Sequence, residues 1–368
     1  MKILFIITGL GIGGAEKQVV DLADEYTYLG HNVTIMSLTN EIITKPKSST
    51  VNIINMKMKK NFFSFLKTYI AARKLIKNIS PEIVHSHMVH ANLFARFLRI
   101  TVKIPLLVCT AHSSFEGSRL RMFMYRITDR LCNVTTNVSN EATESSIRRK
   151  SVKKNRIITM YNGIDTSRFR FNISYRNEMR HSFGLDRNTP LLLAVGRLQP
   201  AKDYPNLLHA FANLPPEYSH AKLFIIGGGD EEKALKTLSN TLGINKRVIF
   251  LGFRNDIEKW MSAADVFILS SAWEGFGLVV AEAMSSECIV VATDCGGVKE
   301  VLNGYGFLVP TKDSVYLSEK IVHAISLDHE TKNKMKKSSK KYVLDNFSIE
   351  TIAKKWLGLY TSLLSKLG

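Results

Sequence analysis

No apolar run in this chain of 368 residues reaches the roughly 18 residues that a membrane-spanning helix needs. Cysteine is scarce. Cys109, Cys132, Cys288 and Cys295 show no C-x-x-C spacing, and reduced thiols in a cytoplasmic protein are the expectation. The short apolar run 3–8 is followed by glycines and Glu16 rather than by a cleavage site, so it reads as a first β-strand and not as a signal peptide. No D-x-D pair occurs, which leaves a metal bridging a diphosphate without an evident carboxylate site, and no metal is expected. Internal repeats, low-complexity tracts and recognised nucleic-acid modules are also missing. Acidic residues are the minority, 32 against 50 Lys+Arg, for a formal charge of +18. Residues 1–165 carry +13 of it and residues 166–368 carry +5. Such an excess calls for an anionic partner: nucleic acid, an acidic membrane surface or a phosphorylated substrate.

What is present is a globular composition, 45% hydrophobic with a mean hydropathy of −0.01, in a chain long enough for about two domains. Apolar strand-like runs at 3–8, 33–38, 83–85, 106–111 and 134–139 alternate with helical patterns at 15–29, 62–79, 90–100 and 119–131. A second series begins after residue 187, with strand-like runs at 191–195, 223–226, 248–251, 266–269, 289–292 and 307–309. Continuous apolar strands with helices between them predict parallel sheets covered on both faces. The fold class is therefore α/β, with two doubly wound Rossmann-like domains, 1–165 and 166–348. The polar stretch 166–187 reads as the linker, and a last helix covers about 349–364.

The most informative stretch follows the run 266–269. In Ser271-Ala272-Trp273-Glu274-Gly275-Phe276-Gly277-Leu278 and on through Glu282 to Met284, two glutamates stand eight residues apart at a helix start. Glycines there let backbone N–H groups approach a ligand, and the helix N-terminus favours negative charge. A phosphate held on the backbone and hydroxyls held by carboxylates describe a nucleotide sugar. A glycine turn opening an ordinary helix has the same look. Arg197 and Lys202 lie just past another strand end, where open α/β sheets bind ligands, and the two could neutralise a diphosphate. Gly227-Gly228-Gly229-Asp230 reads equally as a tight turn or a ligand loop. After the first strand, Gly9, Gly11 and Gly14 fit G-x-G-x-x-G, but no acid follows the second strand before Glu41, which argues against a dinucleotide dehydrogenase. His85, His87 and His90 cluster in sequence without a carboxylate or cysteine at metal-binding spacing.

These motifs together give a resemblance. With Gly13-Gly14-x-Glu16, His112, Asn162-Gly163-Ile164-Asp165, Gly196-Arg197, Lys202, Glu274-Gly275-Phe276-Gly277 and Glu282, the chain resembles family-4 retaining glycosyltransferases with the GT-B fold over essentially its whole length. The resemblance implies two Rossmann-like domains with a cleft between them, and a last helix that crosses back onto the first domain. It implies that Arg197 and Lys202 contact the diphosphate and that Glu274 holds hydroxyls of the transferred sugar. Glu282 would bind the ribose, and backbone N–H groups around Phe276 and Leu278, beside Gly275 and Gly277, would help with the distal phosphate and sugar. From the first domain Gly14 would approach the phosphates and His112 would touch the donor sugar near the reacting carbon. Glu16, His85 and His87 are placed on the acceptor side.

The implied activity is metal-independent, retaining transfer of a hexose or N-acetylhexosamine, galactose or N-acetylgalactosamine favoured, from a UDP-sugar. The implied acceptor is a glycan on undecaprenyl diphosphate, in bacterial O-antigen or capsule assembly at the inner face of the plasma membrane. Segments 62–79 and 119–131 interleave basic with large apolar side chains, as helices lying on an anionic membrane surface do. A core-facing helix with a charged outer face gives the same pattern. Two other classes stay open: a nucleotide-sugar epimerase, and a non-catalytic basic protein that binds nucleic acid.

Overall fold

Seven short runs rich in Ile, Val and Leu form the first sheet: β1 (Lys2–Ile7), β2 (Asn32–Ser37), β3 (Asn52–Asn55), β4 (Ile83–His87), β5 (Leu106–Ala111), β6 (Val134–Asn137) and β7 (Ile157–Thr159). The structure, a computed structural model, describes all residues except Asn40, Glu41, 114–117, Arg187 and Gly368, and all their side chains except that of Arg119. Glu41, the acid sought after β2, thus lies outside the described residues. Two units are distinguished: Met1–Gly163 with Ile349–Gly368, and Ile164–Ser348.

The first sheet is wholly parallel, in the order β3-β2-β1-β4-β5-β6-β7. Helices α1 (Gly14–Tyr28), α2 (Phe62–Ile79), α3 (Val89–Thr101), α4 (Arg119–Thr128) and α5 (Asn140–Arg148) connect its strands. One face of the sheet is covered by α1 and by the C-terminal helix, Ile349–Ser365, whose Ile349, Ile352, Ala353, Trp356 and Tyr360 are buried in a common core with β1 and β5. That spacing is an apolar stripe of helical period. Gly163 makes the approach possible, since a Cβ there would stand 2.9 Å from the Ile349 Cα. The other face is packed by α2 and α3. Strands β3 and β7, edge strands of four and three residues, escaped the sequence reading because NIIN and IIT are too short to show a period.

The second sheet is parallel too, in the order β10-β9-β8-β11-β12-β13. Its strands are β8 (Leu191–Val195), β9 (Lys222–Ile226), β10 (Val248–Phe250), β11 (Val266–Leu269), β12 (Ile289–Thr293) and β13 (Phe307–Val309). Around it run α6 (Ile173–Ser182), α7 (Tyr204–Ala212), α8 (Glu232–Thr241), α9 (Ile257–Ala263), α10 (Leu278–Ser285), α11 (Val298–Leu302), α12 (Ser314–Ser326) and α13 (His329–Phe347). The stretch 166–187, expected as a linker, contains α6, which docks through ions rather than through an apolar stripe. Arg176 and Arg180 reach the Asp265 carboxylate at 2.6 and 3.0 Å. Only Met179 and Arg180 of that helix are buried, so hydrophobic periodicity had nothing to report.

In both sheets the strand order reverses direction once, between β1 and β4 and between β8 and β11. Ligands of open α/β sheets bind beyond the C-terminal strand ends at such a reversal.

Candidate active site

In the second unit the two strands at the reversal, β8 and β11, lead directly into the loops that carry Arg197 and Lys202 and that carry Glu274. Lys202 ends a single 3-10 turn, Pro200–Lys202, and its ammonium donates to the Glu274 carboxylate. Both side chains are largely shielded, 17% and 14% exposed. The loops are stitched to each other around this pair. Ser271 Oγ donates to the same carboxylate oxygen at 2.8 Å, Ser270 Oγ donates to the Lys202 carbonyl at 2.8 Å, and the Ala272 N–H donates to the Ala201 carbonyl at 2.9 Å. Tyr204, the first residue of α7, donates its hydroxyl to the Gly196 carbonyl at 3.0 Å. Burial, and then the nearby Glu274 carboxylate, push that hydroxyl above its ordinary pKa, so it remains a donor throughout the neutral range. Burial likewise pushes the Cys295 thiol up to about 12, which keeps it un-ionised.

Glycines set the strand-end loops at distances no other residue allows. Gly296 has φ +55°, and a Cβ on it would fall 2.0 Å from the Glu274 carbonyl oxygen. At Gly227 and Gly229 a Cβ would lie 1.9 Å from the Gly196 carbonyl oxygen and 2.3 Å from that of Leu198. The triple glycine after β9 therefore has a packing reason: it seats the loop that carries Arg197.

Arg197 itself is exposed, and among the described residues no carboxylate is paired with it. Phe276 is buried and packs edge-on against Phe347, ring centroids 5.4 Å apart, so only its backbone can face a ligand. Gly277 sits at φ +91° and caps α10. Glu282 lies inside α10 and is 5% exposed. The second-unit residues singled out in the sequence thus gather on the loops at one sheet edge and on the helix they open.

In the first unit, parallel register sets Ile7, His87 and Thr110 side by side at the ends of β1, β4 and β5. The glycine loop before α1, His87 and His112 follow at that edge. His87 Nδ1 and His112 Nε2 share a hydrogen bond of 3.0 Å. His87 is fully buried and its Nε2 has no partner among the described residues. Burial holds His112 down at about 4 and, helped by the neighbouring imidazoles, holds His87 well below the usual histidine range. The pair is therefore neutral near pH 7.

Of the acceptor-side expectations, that for His85 changes. His85 is fully buried, with Nδ1 on the Tyr360 hydroxyl and Nε2 on Thr110 Oγ1, each at 2.6 Å. Nδ1 ties β4 to the C-terminal helix and Nε2 ties it to β5, so both ring nitrogens are spent inside the unit and His85 is a structural tie rather than an acceptor contact. Glu16 bends back over the start of α1, where a Cβ on Gly13 would meet its Oε2 at 2.5 Å. This places a carboxylate at the helix N-terminus, a favourable position for it. Gly14 stays exposed beside it. His90 stands apart from His85 and His87, exposed in the first turn of α3. Among the described residues no group of three or more His, Cys, Asp or Glu is placed to hold a metal ion.

Sequence reasoning included Ser271 in the informative stretch but not its contact with Glu274, and it missed Gly296. Ser271-x-x-Glu274 was visible as a spacing, but in a loop it carried no signal of a contact. Gly296 follows a strand that showed no motif.

Known proteins match over both halves. A family described as Glycosyltransferase Family 4 matches residues 12–168, and one described as Glycosyl transferases group 1 matches residues 175–342. An Escherichia coli protein named UDP-Gal:alpha-D-GlcNAc-diphosphoundecaprenol alpha-1,3-galactosyltransferase is 28% identical, over 81% of this chain and 80% of its own. A Campylobacter jejuni alpha-1,4-N-acetyl-D-galactosaminyltransferase, named for a GalNAc-containing glycan on PP-undecaprenol, is 25% identical over 98% of both chains. The structure of HepE from Anabaena, solved in complex with UDP-glucose, superposes with a TM-score of 0.84 at 22% identity, over 98% of this chain and all of that one. With two parallel α/β sheets of this topology and these matches to both halves, the chain belongs to the family-4-like glycosyltransferases and has the GT-B fold.

Proposed function

We propose that this glycosyltransferase moves galactose or N-acetylgalactosamine from a UDP-sugar to a glycan carried on undecaprenyl diphosphate, with retention at the anomeric carbon and without a metal. Support for donor and acceptor comes from the names of the E. coli and C. jejuni relatives and from the UDP-glucose bound to the HepE fold neighbour. The basic first half, +13 in residues 1–165, suits an enzyme that meets its acceptor at an anionic membrane surface. No described helix is long and apolar enough to cross one.

The observation that carries the mechanism is the Lys202–Glu274 pair at the sheet reversal. In the ligand-free chain each charge satisfies the other. An arriving diphosphate offers Lys202 a stronger anionic partner, and Arg197, unpaired among the described residues, adds a forked donor. Lys202 turns to the phosphate and Glu274 is released to accept hydrogen bonds from sugar hydroxyls, still oriented by Ser271. Cleavage of the bond between the anomeric carbon and the β-phosphate oxygen sends its electron pair to that oxygen, where Arg197, Lys202 and the α10 N-terminus stabilise the growing charge. The acceptor oxygen bonds to the carbon on the same face, and its proton passes to the departing phosphate, so no separate strong base is required. His112 is assigned to the donor sugar near the reacting carbon. Its low pKa suits a neutral hydrogen-bonding role.

The stereochemical part is tested by proton NMR of the first product formed from an α-linked UDP-sugar. An α-anomeric coupling constant is expected; a β-linked product would refute retention.

A further inference from the structure

Helix α2 is held to its unit by a thin seam. Of its 18 residues only Thr68, Ala72 and Ile76 are buried, a line far narrower than the apolar stripe of a core-packed helix. Large apolar side chains face outward instead: Phe62 is 70% exposed, Phe63 83%, Leu66 44% and Ile70 57%. The Phe62 and Phe63 rings pack edge-on against each other, centroids 6.0 Å apart, at the helix start. Residues 42–81 hold nine Lys and Arg and no Asp or Glu. Among the described residues, the exposed Lys59, Lys60, Lys67 and Lys74 have no ion-pair partner.

Helix α4 extends this surface. α3 packs against both α2 and α4, and its Phe94 meets Phe65 and Tyr69 of α2 edge-on. On α4, Leu120, Phe123 and Ile127 stand out at 69%, 56% and 54% exposure, spaced along one helical face. Partial desolvation, and then the positive charges of Arg121 on α4 and of Lys60 just before α2, lower the pKa of His90 on α3. Phenylalanines, a leucine and unpaired cations thus share one area of the first unit.

We propose that the outward faces of α2 and α4 dock on an anionic lipid bilayer, with Phe62 and Phe63 entering the acyl boundary and the lysines lying at the lipid phosphates. Charge complementarity selects this occupant. A second copy of the chain would set cations against cations, and a nucleic-acid backbone would leave Leu66 and Ile70 in water. Lipid binding needs both halves of the pattern, as amphipathic interfacial helices do. The inference locates the membrane contact of the proposed function, yet its test uses neither donor nor acceptor, so the two can fail separately.

The test is co-sedimentation of the full chain with phosphatidylcholine vesicles and with phosphatidylcholine–phosphatidylglycerol vesicles at about 0.1 M salt, where charges act over about 10 Å. Binding to the anionic vesicles is expected to be stronger by about tenfold or more and to weaken as salt rises. Phe62→Ser with Phe63→Ser, both at exposed positions, is expected to lower binding by about tenfold or more. Lys59→Gln with Lys60→Gln is expected to lower the anionic preference by about fivefold for each charge removed. Lys336→Gln with Lys337→Gln, in the other unit, is expected to change nothing. Equal binding to both vesicle types, or unchanged binding by the serine variant, would overturn the proposal. A dimer in sedimentation velocity that the serine variant converts to monomer would overturn it in favour of self-association. RNA that displaces the chain from vesicles and binds the serine variant equally well would overturn it in favour of nucleic acid.

Discussion

Lys202 and Glu274 are 72 residues apart in the chain and share a hydrogen bond. Each residue type was legible as a candidate from its own loop; their pairing was not, because only the order of β8 and β11 brings those loops together. The pair has a consequence for binding that separates its members. Glu274→Gln removes the competitor for the Lys202 ammonium while keeping a hydrogen-bonding side chain. It is expected to tighten UDP binding by a few-fold in calorimetry, since a charge-assisted hydrogen bond no longer has to be exchanged, and to lower kcat by about 100-fold. Weaker UDP binding in this variant would contradict the exchange of partners. Arg197→Ala is expected to lower kcat by about 100-fold as well, with circular dichroism unchanged, because its side chain is exposed. At this scale the sequence also misled. The family resemblance set His85 on the acceptor side, and only the buried Tyr360 hydroxyl reveals it as a tie.

The element most dependent on such ties is the C-terminal helix. Its apolar stripe was readable from sequence as a helix, and its return to the first unit was implied by family resemblance. The means of attachment were not readable: Tyr360 on His85, and Gly163 beneath Ile349. Tyr360→Phe leaves a buried ring nitrogen without its partner and is expected to lower stability by about 1–3 kcal/mol in urea unfolding. No change would remove the tie. The imidazoles beside it make the unit acid-sensitive. Burial holds His85 and His87 well below the usual range and His112 at about 4, whereas in the unfolded chain all three take up protons near pH 6.5. Between those values the unfolded chain binds more protons, so the full stability present above about pH 6.5 is lost as pH falls through that window. The melting temperature is expected to drop by about 5 °C or more between about pH 7.5 and about pH 5, and His112→Asn should reduce the drop. A flat profile would contradict the buried neutral imidazoles. Short edge strands and the ion-docked α6 mark the limit of periodicity at this scale, since neither presents an apolar repeat.

For the whole molecule, alternation of buried strands with helices was enough to announce two doubly wound sheets, because strands covered on both faces must be apolar throughout. The family was legible for a different reason: the motifs that carry the resemblance fall in order along the whole chain, from Gly13-Gly14 to Glu282. Donor and acceptor identity were not legible, since they depend on side chains whose selectivity no spacing encodes. The charge asymmetry was plain in the sequence, but which helices expose their apolar residues to solvent became visible only once α2 was seen to bury three positions.

The most direct test of the central claim is release of UDP from UDP-galactose, UDP-N-acetylgalactosamine and UDP-glucose, with and without an undecaprenyl-diphosphate-linked glycan, by the wild-type chain and by Lys202→Ala. The account predicts acceptor-dependent release from a galactose or N-acetylgalactosamine donor, reduced by about 100-fold in the variant. Release that needs no acceptor, or that survives intact without the Lys202 ammonium, would contradict it.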